Sequence, residues 1–452
     1  MSTAATSTAP APDAAAGYPS QPYAWYVVSI MCLGYVFAFI DRIVVGLLTA
    51  SIQKDLLLTD TEMGILQGIA FALFYTLFGI PIGWLADRWH RKTILTIGMA
   101  VWSVMTALCG YAGSFFTMFL ARVGVGIGEA TLNPCSASII GDYFPPKSRP
   151  KAFGVYVMGT AFGTGLTFLG GGLVFGFLAA NPTVDLGPLG VMAPWRAMFV
   201  FVGLAGLIPA LIFLFTVQEP ARKDLAAKQK GKATMAEIKA FFANNRTAIL
   251  CHHFGLSMVI MSIYAWVNWM AVFFERIHGW GPAKFAITYG VPGLITGIIS
   301  ALSCGWLASK MKECGITDST MRVALWGCIA VVALGALAPQ MATPELALTV
   351  FVITGLFSNY PTVMALSAVN EMCPNEMRGF FTSTYIFLVG LISSGIGPLL
   401  TGLVTDNVFQ DKMRIADSLT LVTIVTGVIG CALIAYGLKA FRESLARVTW
   451  VR

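Results

Sequence analysis

The sequence predicts an all-α membrane protein with about twelve transmembrane helices, arranged as two six-helix bundles around a central cavity. Three observations carry this expectation. First, 57% of the 452 residues are hydrophobic and 11% are charged, with a mean hydropathy of +0.75; an ordinary soluble domain carries about 25% charged residues. Second, the basic residues alternate between loops. Of the 29 Lys and Arg, 21 fall on one side, 6 on the other, and Arg42 and Arg122 lie inside spans. Third, Gly83-Trp84-Leu85-Ala86 recurs as Gly305-Trp306-Leu307-Ala308, each time at the end of the second helix of a half.

Residues 1–23 are rich in Ala, Pro, Ser and Thr, with Asp13 as their only charge. They lack the basic and apolar regions of a signal peptide and are expected to form a disordered cytoplasmic tail. At about 20 apolar residues per span, the N-terminal bundle (24–217) holds helices at 24–50, 62–86, 94–113, 115–141, 152–180 and 197–217. A polar, Lys- and Ala-rich cytoplasmic linker (218–246) precedes the C-terminal bundle (247–440), with helices at 247–275, 284–309, 320–340, 344–370, 379–404 and 418–440. Residues 441–452 form a cytoplasmic tail.

The heavily basic side includes Arg88, Arg91 and Lys92, then Lys147, Arg149 and Lys151, then the linker residues Arg222, Lys223, Lys228, Lys230 and Lys232. The positive-inside rule makes this side cytoplasmic and places both termini there, which an even number of spans requires. The net charge of +7 is thereby a matter of topology, and no nucleic-acid partner is expected.

A second correspondence supports the repeat: Pro146, Arg149 and Gly154 after helix 4 resemble Pro374, Arg378 and Gly379 after helix 10. Parallel six-helix repeats are the architecture of one large transporter class, with the solute between the halves near the midplane. Helix 5 carries Gly154, Gly159, Gly163, Gly165, Gly170, Gly171 and Gly172, small residues that let helices approach closely in lipid. A helix so free of side-chain locks can also bend or slide.

Ionisable residues near the bilayer centre cost ~2.5–3.5 kcal/mol on insertion scales and usually mark a pathway. Asp41, Arg42, Arg122 and Glu129 stand in such positions. At 1.5 Å per residue, Asp41 and Arg42 lie ~14 and ~12 Å, and Arg122 and Glu129 ~10 and ~21 Å, below the outer ends of helices 1 and 4. Arg42 and Arg122 can neutralise an anionic headgroup, because guanidinium stays charged and grips phosphate or carboxylate bidentately. Asp41 and Glu129 can titrate as the cavity opens, and Glu129, deeper and flanked by glycines, is the favoured proton carrier. The alternative is an ion-pair network that only fixes packing between helices 1 and 4.

The second half offers neutral candidates: Tyr264 and Asn268 at i, i+4, Trp269 beside them, Asn359 and Tyr360, and Tyr385. A charged half facing an apolar, aromatic half suits an amphipathic solute. His252 and His253 read as interfacial residues with side chains ~100° apart. No disulfide framework, metal-ligand spacing or cofactor motif is evident, and no catalytic constellation points to an enzyme. The spaced glycines Gly124, Gly126 and Gly128 interrupt a membrane helix, which favours packing over a nucleotide loop.

Gly83 to Lys92 reads Gly-Trp-Leu-Ala-Asp-Arg-Trp-His-Arg-Lys. This resembles the signature G-x-x-x-D-R/K-x-G-R/K-R/K of the major facilitator superfamily, with His90 in place of a Gly expected to adopt positive φ. The resemblance implies a gating motif of Gly83, Asp87, Arg88 and Arg91, with Asp87 latching the halves on the cytoplasmic side by meeting the start of helix 11 near Gly379 in the outward-open state. Arg88, Arg91 and Lys92 otherwise read as topology determinants. Ile40-Asp41-Arg42 and Arg122 to Ala130 are similar to the Spinster family within that superfamily, whose eukaryotic members are linked to sphingolipid and lysolipid export. A bacterial homologue of these would be a monomeric, proton-coupled transporter in the inner membrane, moving an amphipathic anion or lipid. A small carboxylate is the alternative solute, and a non-transporting receptor the alternative class.

Overall fold

The computed structural model describes residues 18–145, 147–222 and 233–449. Most of the expected N-terminal tail, the linker residues Lys223, Lys228, Lys230 and Lys232, the repeat residue Pro146 and the terminal Arg452 lie outside the described residues.

Twelve helices among the described residues are long and apolar enough to cross a membrane. They are α1 (Gln21–Leu47), α2 (Asp60–Ala86), α3 (Arg91–Cys109), α4 (Phe115–Tyr143), α5 (Arg149–Leu178), α6 (Pro194–Thr216), α7 (Met235–His278), α8 (Pro282–Glu313), α9 (Ser319–Gln340), α10 (Pro344–Met372), α11 (Asn375–Phe409) and α12 (Lys412–Arg447). Their outward sides carry large apolar residues such as Phe177, Phe215, Leu302 and Tyr436, a surface suited to lipid rather than water. The even number of spans puts both described ends on one face, termed here the terminal face; the opposite one is the far face.

Local chemistry starts and stops these helices. Thr59 with Glu62, and Thr234 with Glu237, form capping boxes at the starts of α2 and α7, satisfying backbone N–H groups that have no intrahelical partner. Proline opens α6, α8 and α10, where its missing donor is harmless. Gly279, at φ 67°, ends α7. The capping box at Thr234 starts α7 well before the expected position 247, and Asn245, at φ −122°, kinks the early segment away from the span. A small antiparallel hairpin, Val184 and Asp185 with Met192 and Val191, was not anticipated between α5 and α6; strands of two residues carry no periodic signal.

Several spans are irregular inside. Turns interrupt α2 at Gly68, α4 at 130–131 and α10 at 356–358. Widened π-helical turns occur at Thr167–Gly171 in α5 and at Val389–Ile396 and Val404–Phe409 in α11. The first two occupy related places: α5 there packs on α8, and α11 on α2, so both irregular segments line the seam between the halves.

The seam is tight toward the far face. A Cβ on Gly64 would stand 2.7 Å from the Pro398 carbonyl oxygen, and one on Gly46 3.0 Å from the Asn268 backbone. One apolar core accordingly joins Ile43, Leu47 and Met63 of the first half to Trp269, Phe273 and Phe285 of the second. Toward the terminal face the first half has its own core, including Val27, Leu95, Trp102 and Tyr143. There, Gly305 and Gly379 face open space.

Candidate functional site

All four intramembrane charges converge between α1 and α4. Arg42 Nε and Nη2 meet Glu129 Oε2 at 2.7 and 2.6 Å. The Glu129 side chain is fully buried, whereas that of Arg42 is 20% exposed. The Arg42 guanidinium also lies 5.1, 4.7 and 4.8 Å from the ring centres of Phe39, Phe71 and Tyr75, an aromatic setting that favours a cation. Tyr75 accepts a hydrogen bond from Asn133, which in turn accepts one from Tyr156. Tyr156 stacks on Tyr35 with ring centres 4.7 Å apart.

The other two charges are enclosed. Arg122 is 1% exposed, donates at 3.4 Å to the backbone carbonyls of Leu66 and Asp41, and keeps Nη2 unpartnered. It makes no ion pair among the described residues, although Asp41 lies within its electrostatic reach. Asp41 is 2% exposed, with Oδ1 unpartnered. Arg42 is thus the cation of this centre that meets open space in this conformation; Arg122, expected to face the cavity, sits behind Phe71.

Local sequence explains the placement. The helix break at 130–131 directly follows Glu129. Glycines bring α4 close to its neighbours: a Cβ on Gly126 would stand 2.6 Å from the Phe71 carbonyl oxygen, and one on Gly128 2.7 Å from the Trp102 nitrogen. The glycine run is a packing surface.

The neutral candidates divide. Tyr264, half-buried, lies within electrostatic reach of Arg42 and Tyr75. Asn359 is half-buried and donates to the Gly297 carbonyl at 3.0 Å, and Tyr360 donates to Ser303 at 3.1 Å. Trp269 is withdrawn from any solute surface: it is fully buried and donates to the Pro398 carbonyl at 2.9 Å. Asn268 belongs to the seam, donating to the Tyr264 carbonyl at 2.8 Å while its backbone abuts Gly46. Tyr385 is buried against His252 and His253, its hydroxyl unpartnered. The two histidines are not interfacial, each being 1% exposed inside the second half.

The expected gating motif also separates into parts. Arg88 lies on Trp84 at the surface, 4.1 Å from its ring centre. Arg91 is no surface charge: it is 1% exposed, pairs with Asp142 and Glu219, and donates to Ser138 and the Pro220 carbonyl. The desolvated guanidinium holds the start of α3 to the end of α4. His90 adopts φ −73°, so no positive φ is required where a Gly was expected. The Asp87 carboxylate has no polar partner among the described residues, and a Cβ on Gly83 would meet only Pro134.

The sequence reading missed a polar lock across the far-face seam. Arg276 at the end of α7 donates to both oxygens of Asp60 at 2.6 and 2.7 Å and to Gln53 at 2.8 Å. Asp406 near the end of α11 accepts from the Thr61 N–H at 2.6 Å and so caps the N-terminus of α2 from the opposite half.

Two six-helix halves, locked together at the far face, with a buried charged centre inside the first half, are the architecture of a membrane transport protein. The chain belongs to the Major Facilitator Superfamily, whose family model matches residues 31–398. Its fold resembles the crystal structure of a bacterial homolog of the human lysosomal transporter Spinster, in an inward-facing and unoccupied conformation, with a TM-score of 0.80 and 28% identity over 95% of this chain and 99% of that one. It is 24% identical to an MFS-type efflux pump of Mycolicibacterium smegmatis, over 93% of each chain. It is 23% identical to the hexuronate transporter of Bacillus subtilis, over 94% of each.

Proposed function

We propose that this transporter couples a proton to an amphipathic organic anion, lysolipid-like or sphingolipid-related, through competition for Arg42. The single observation that carries the reading is the pairing of a part-exposed guanidinium with a fully buried carboxylate. While Glu129 is ionised it occupies Arg42. A proton on Glu129 removes the partner and leaves an uncompensated cation, which an anionic headgroup then neutralises. Proton and anion binding are thereby coupled, each favouring the other. Asp41, within electrostatic reach of Glu129, is a second acceptor for the proton. The half-buried Phe39, Tyr75 and Tyr264 supply an aromatic surround for the apolar part of the solute, with the half-buried Asn359 in the second half; Tyr360 and Tyr385, both buried, stand behind that surface.

The heavily basic terminal face is read as cytoplasmic, so the present conformation is inward-open and the far-face lock is the closed outer gate of an alternating-access cycle. Likeness to a Spinster homolog supports the amphipathic solute. The hexuronate transporter among the relatives supports a second reading, in which Arg42 grips a small carboxylate.

Glu129→Gln tests the coupling in proteoliposomes. Uptake driven by a pH gradient should be lost, whereas counterflow exchange, which needs no net proton movement, should persist. Proton-driven uptake at the wild-type rate would reject the assignment. Flux of lysolipids against small carboxylates at two pH values separates the two solutes.

A further inference from the structure

The second half contains a titratable pair that the transport reading leaves unused. His252 and His253 are each 1% exposed within α7. Neighbouring helical side chains diverge by ~100°, yet these rings converge, with centres 5.0 Å apart and Nδ1 atoms 3.1 Å apart. Each Nε2 faces a group that can only accept: His252 Nε2 lies 2.9 Å from the Ala365 carbonyl oxygen of α10, and His253 Nε2 3.1 Å from that of Phe381 in α11. These carbonyls fix the orientation of both rings.

The contacts form a series, carbonyl to His252 to His253 to carbonyl, and each of its three links needs one proton. Two neutral imidazoles bring two. With two, either the Nδ1 lone pairs oppose each other or a bare Nε2 opposes a carbonyl. A third proton satisfies every link. We propose that His252 and His253 form one proton-binding site, with the third proton held between the two Nδ1 atoms, and that this proton ties α7 to α10 and α11.

The surroundings supply no competing charge. From α10 comes the Ala365 carbonyl; from α11, the Phe381 carbonyl and the ring of Tyr385 with its unpartnered hydroxyl; from α9, the Cys328 thiol, within electrostatic reach of Tyr385. From α12, Gly430 and Ile434 pack on Gly255 one turn away. On α7 itself the Ile249 carbonyl faces His253, and Cys251 turns to Gly437. Neither ring has an ion-pair partner among the described residues. A proton here places an uncompensated charge in an apolar junction, so its occupancy depends on how far water reaches between α7, α10 and α11. The site lies in the half opposite to Arg42 and Glu129, and it stands or falls apart from their coupling.

The test is nitrogen-15 NMR of the full chain, labelled at histidine, in lipid nanodiscs. The sequence has only four histidines, so His90→Gln, His252→Gln, His253→Gln and His278→Gln assign every signal. Over about pH 5 to 9, bracketing the ordinary imidazole range, His252 and His253 should change together with the uptake of one proton per pair, and the wild-type spectrum should carry an Nδ1-to-Nδ1 coupling through the shared hydrogen. In His253→Gln, His252 should stay neutral over that range. Two rings that remain neutral throughout the wild-type titration, or that titrate independently, would overturn the site, as would a signal abolished by a chelator, which would mean a shared metal. The wild-type spectrum decides even if a variant fails to fold. Glu129→Gln should leave the shared step in place; its disappearance there would refute the separation of the two sites.

Discussion

Replacing Arg276 by Gln should open the far face. Its side chain is 13% exposed and binds an Asp60 carboxylate that is fully buried, through two charge-assisted bonds, with a third bond to Gln53. Removing one member of a buried pair costs about 3–5 kcal/mol, and the partial exposure of Arg276 favours the lower end. These bonds join α7 to α2 and to the short helix Thr49–Leu56 that follows α1, so they exist only while the halves meet. Their whole value therefore weighs on the equilibrium between closed and open far face, and about 3 kcal/mol corresponds to roughly 150-fold. The assay is the distribution of distances between spin labels at Leu57 and Met413, exposed far-face positions on opposite halves, in a cysteine-free background. Arg276→Gln should add a longer-distance population. Asp60→Asn should do the same, and the double variant little more, because both remove one interaction. Identical short distances in all four proteins would refute the lock.

Two further substitutions separate packing from surface charge. Arg91→Ala leaves Asp142 and Glu219 without their buried cation and should destabilise the first half by about 3 kcal/mol, whereas Arg88→Ala, at the surface on Trp84, should be nearly neutral; thermal unfolding in detergent distinguishes them, and equal effects would contradict the assignment. Gly126→Ala forces a methyl to 2.6 Å from the Phe71 carbonyl oxygen and should cost about 1–3 kcal/mol, while Gly113→Ala, with open space around it, should leave the melting temperature unchanged.

Much of the architecture was legible because it depends on composition. Twelve apolar runs of sufficient length are visible in any order of reading, and a charge inside such a run stands out. Asp41, Arg42, Arg122 and Glu129 were therefore found. What could not be read was which cation Glu129 would choose, since that depends on the rotation of α1 and α4 about their axes. Arg42 pairs and meets open space; Arg122, expected to grip the anion beside it, turns into carbonyls near Leu66. Asp60 and Arg276 escaped notice because charges at span ends are commonplace, and their partnership joins residues 216 positions apart. The adjacency of His252 and His253 argued for divergence, and only tertiary packing against Ala365, Phe381 and Tyr385 draws the rings together. Arg91 misled in the opposite sense: a basic residue in a cytoplasmic loop pattern turned out to be buried.

Helices α2 and α11 run antiparallel, and each ends near an aspartate, Asp87 and Asp406 respectively. Here Asp406 supplies the missing acceptor at the start of α2. We propose that Asp87, in the role its motif implies, would supply the same service at the start of α11 in the opposite state. The two helices then trade caps, one given up as the other forms. A helix cap is worth about 0.5–2 kcal/mol, and a trade of like for like nearly cancels between the end states. On that proposal the capping of this helix pair adds little to the difference between the end states, which is left to contacts such as the Arg276–Asp60 lock.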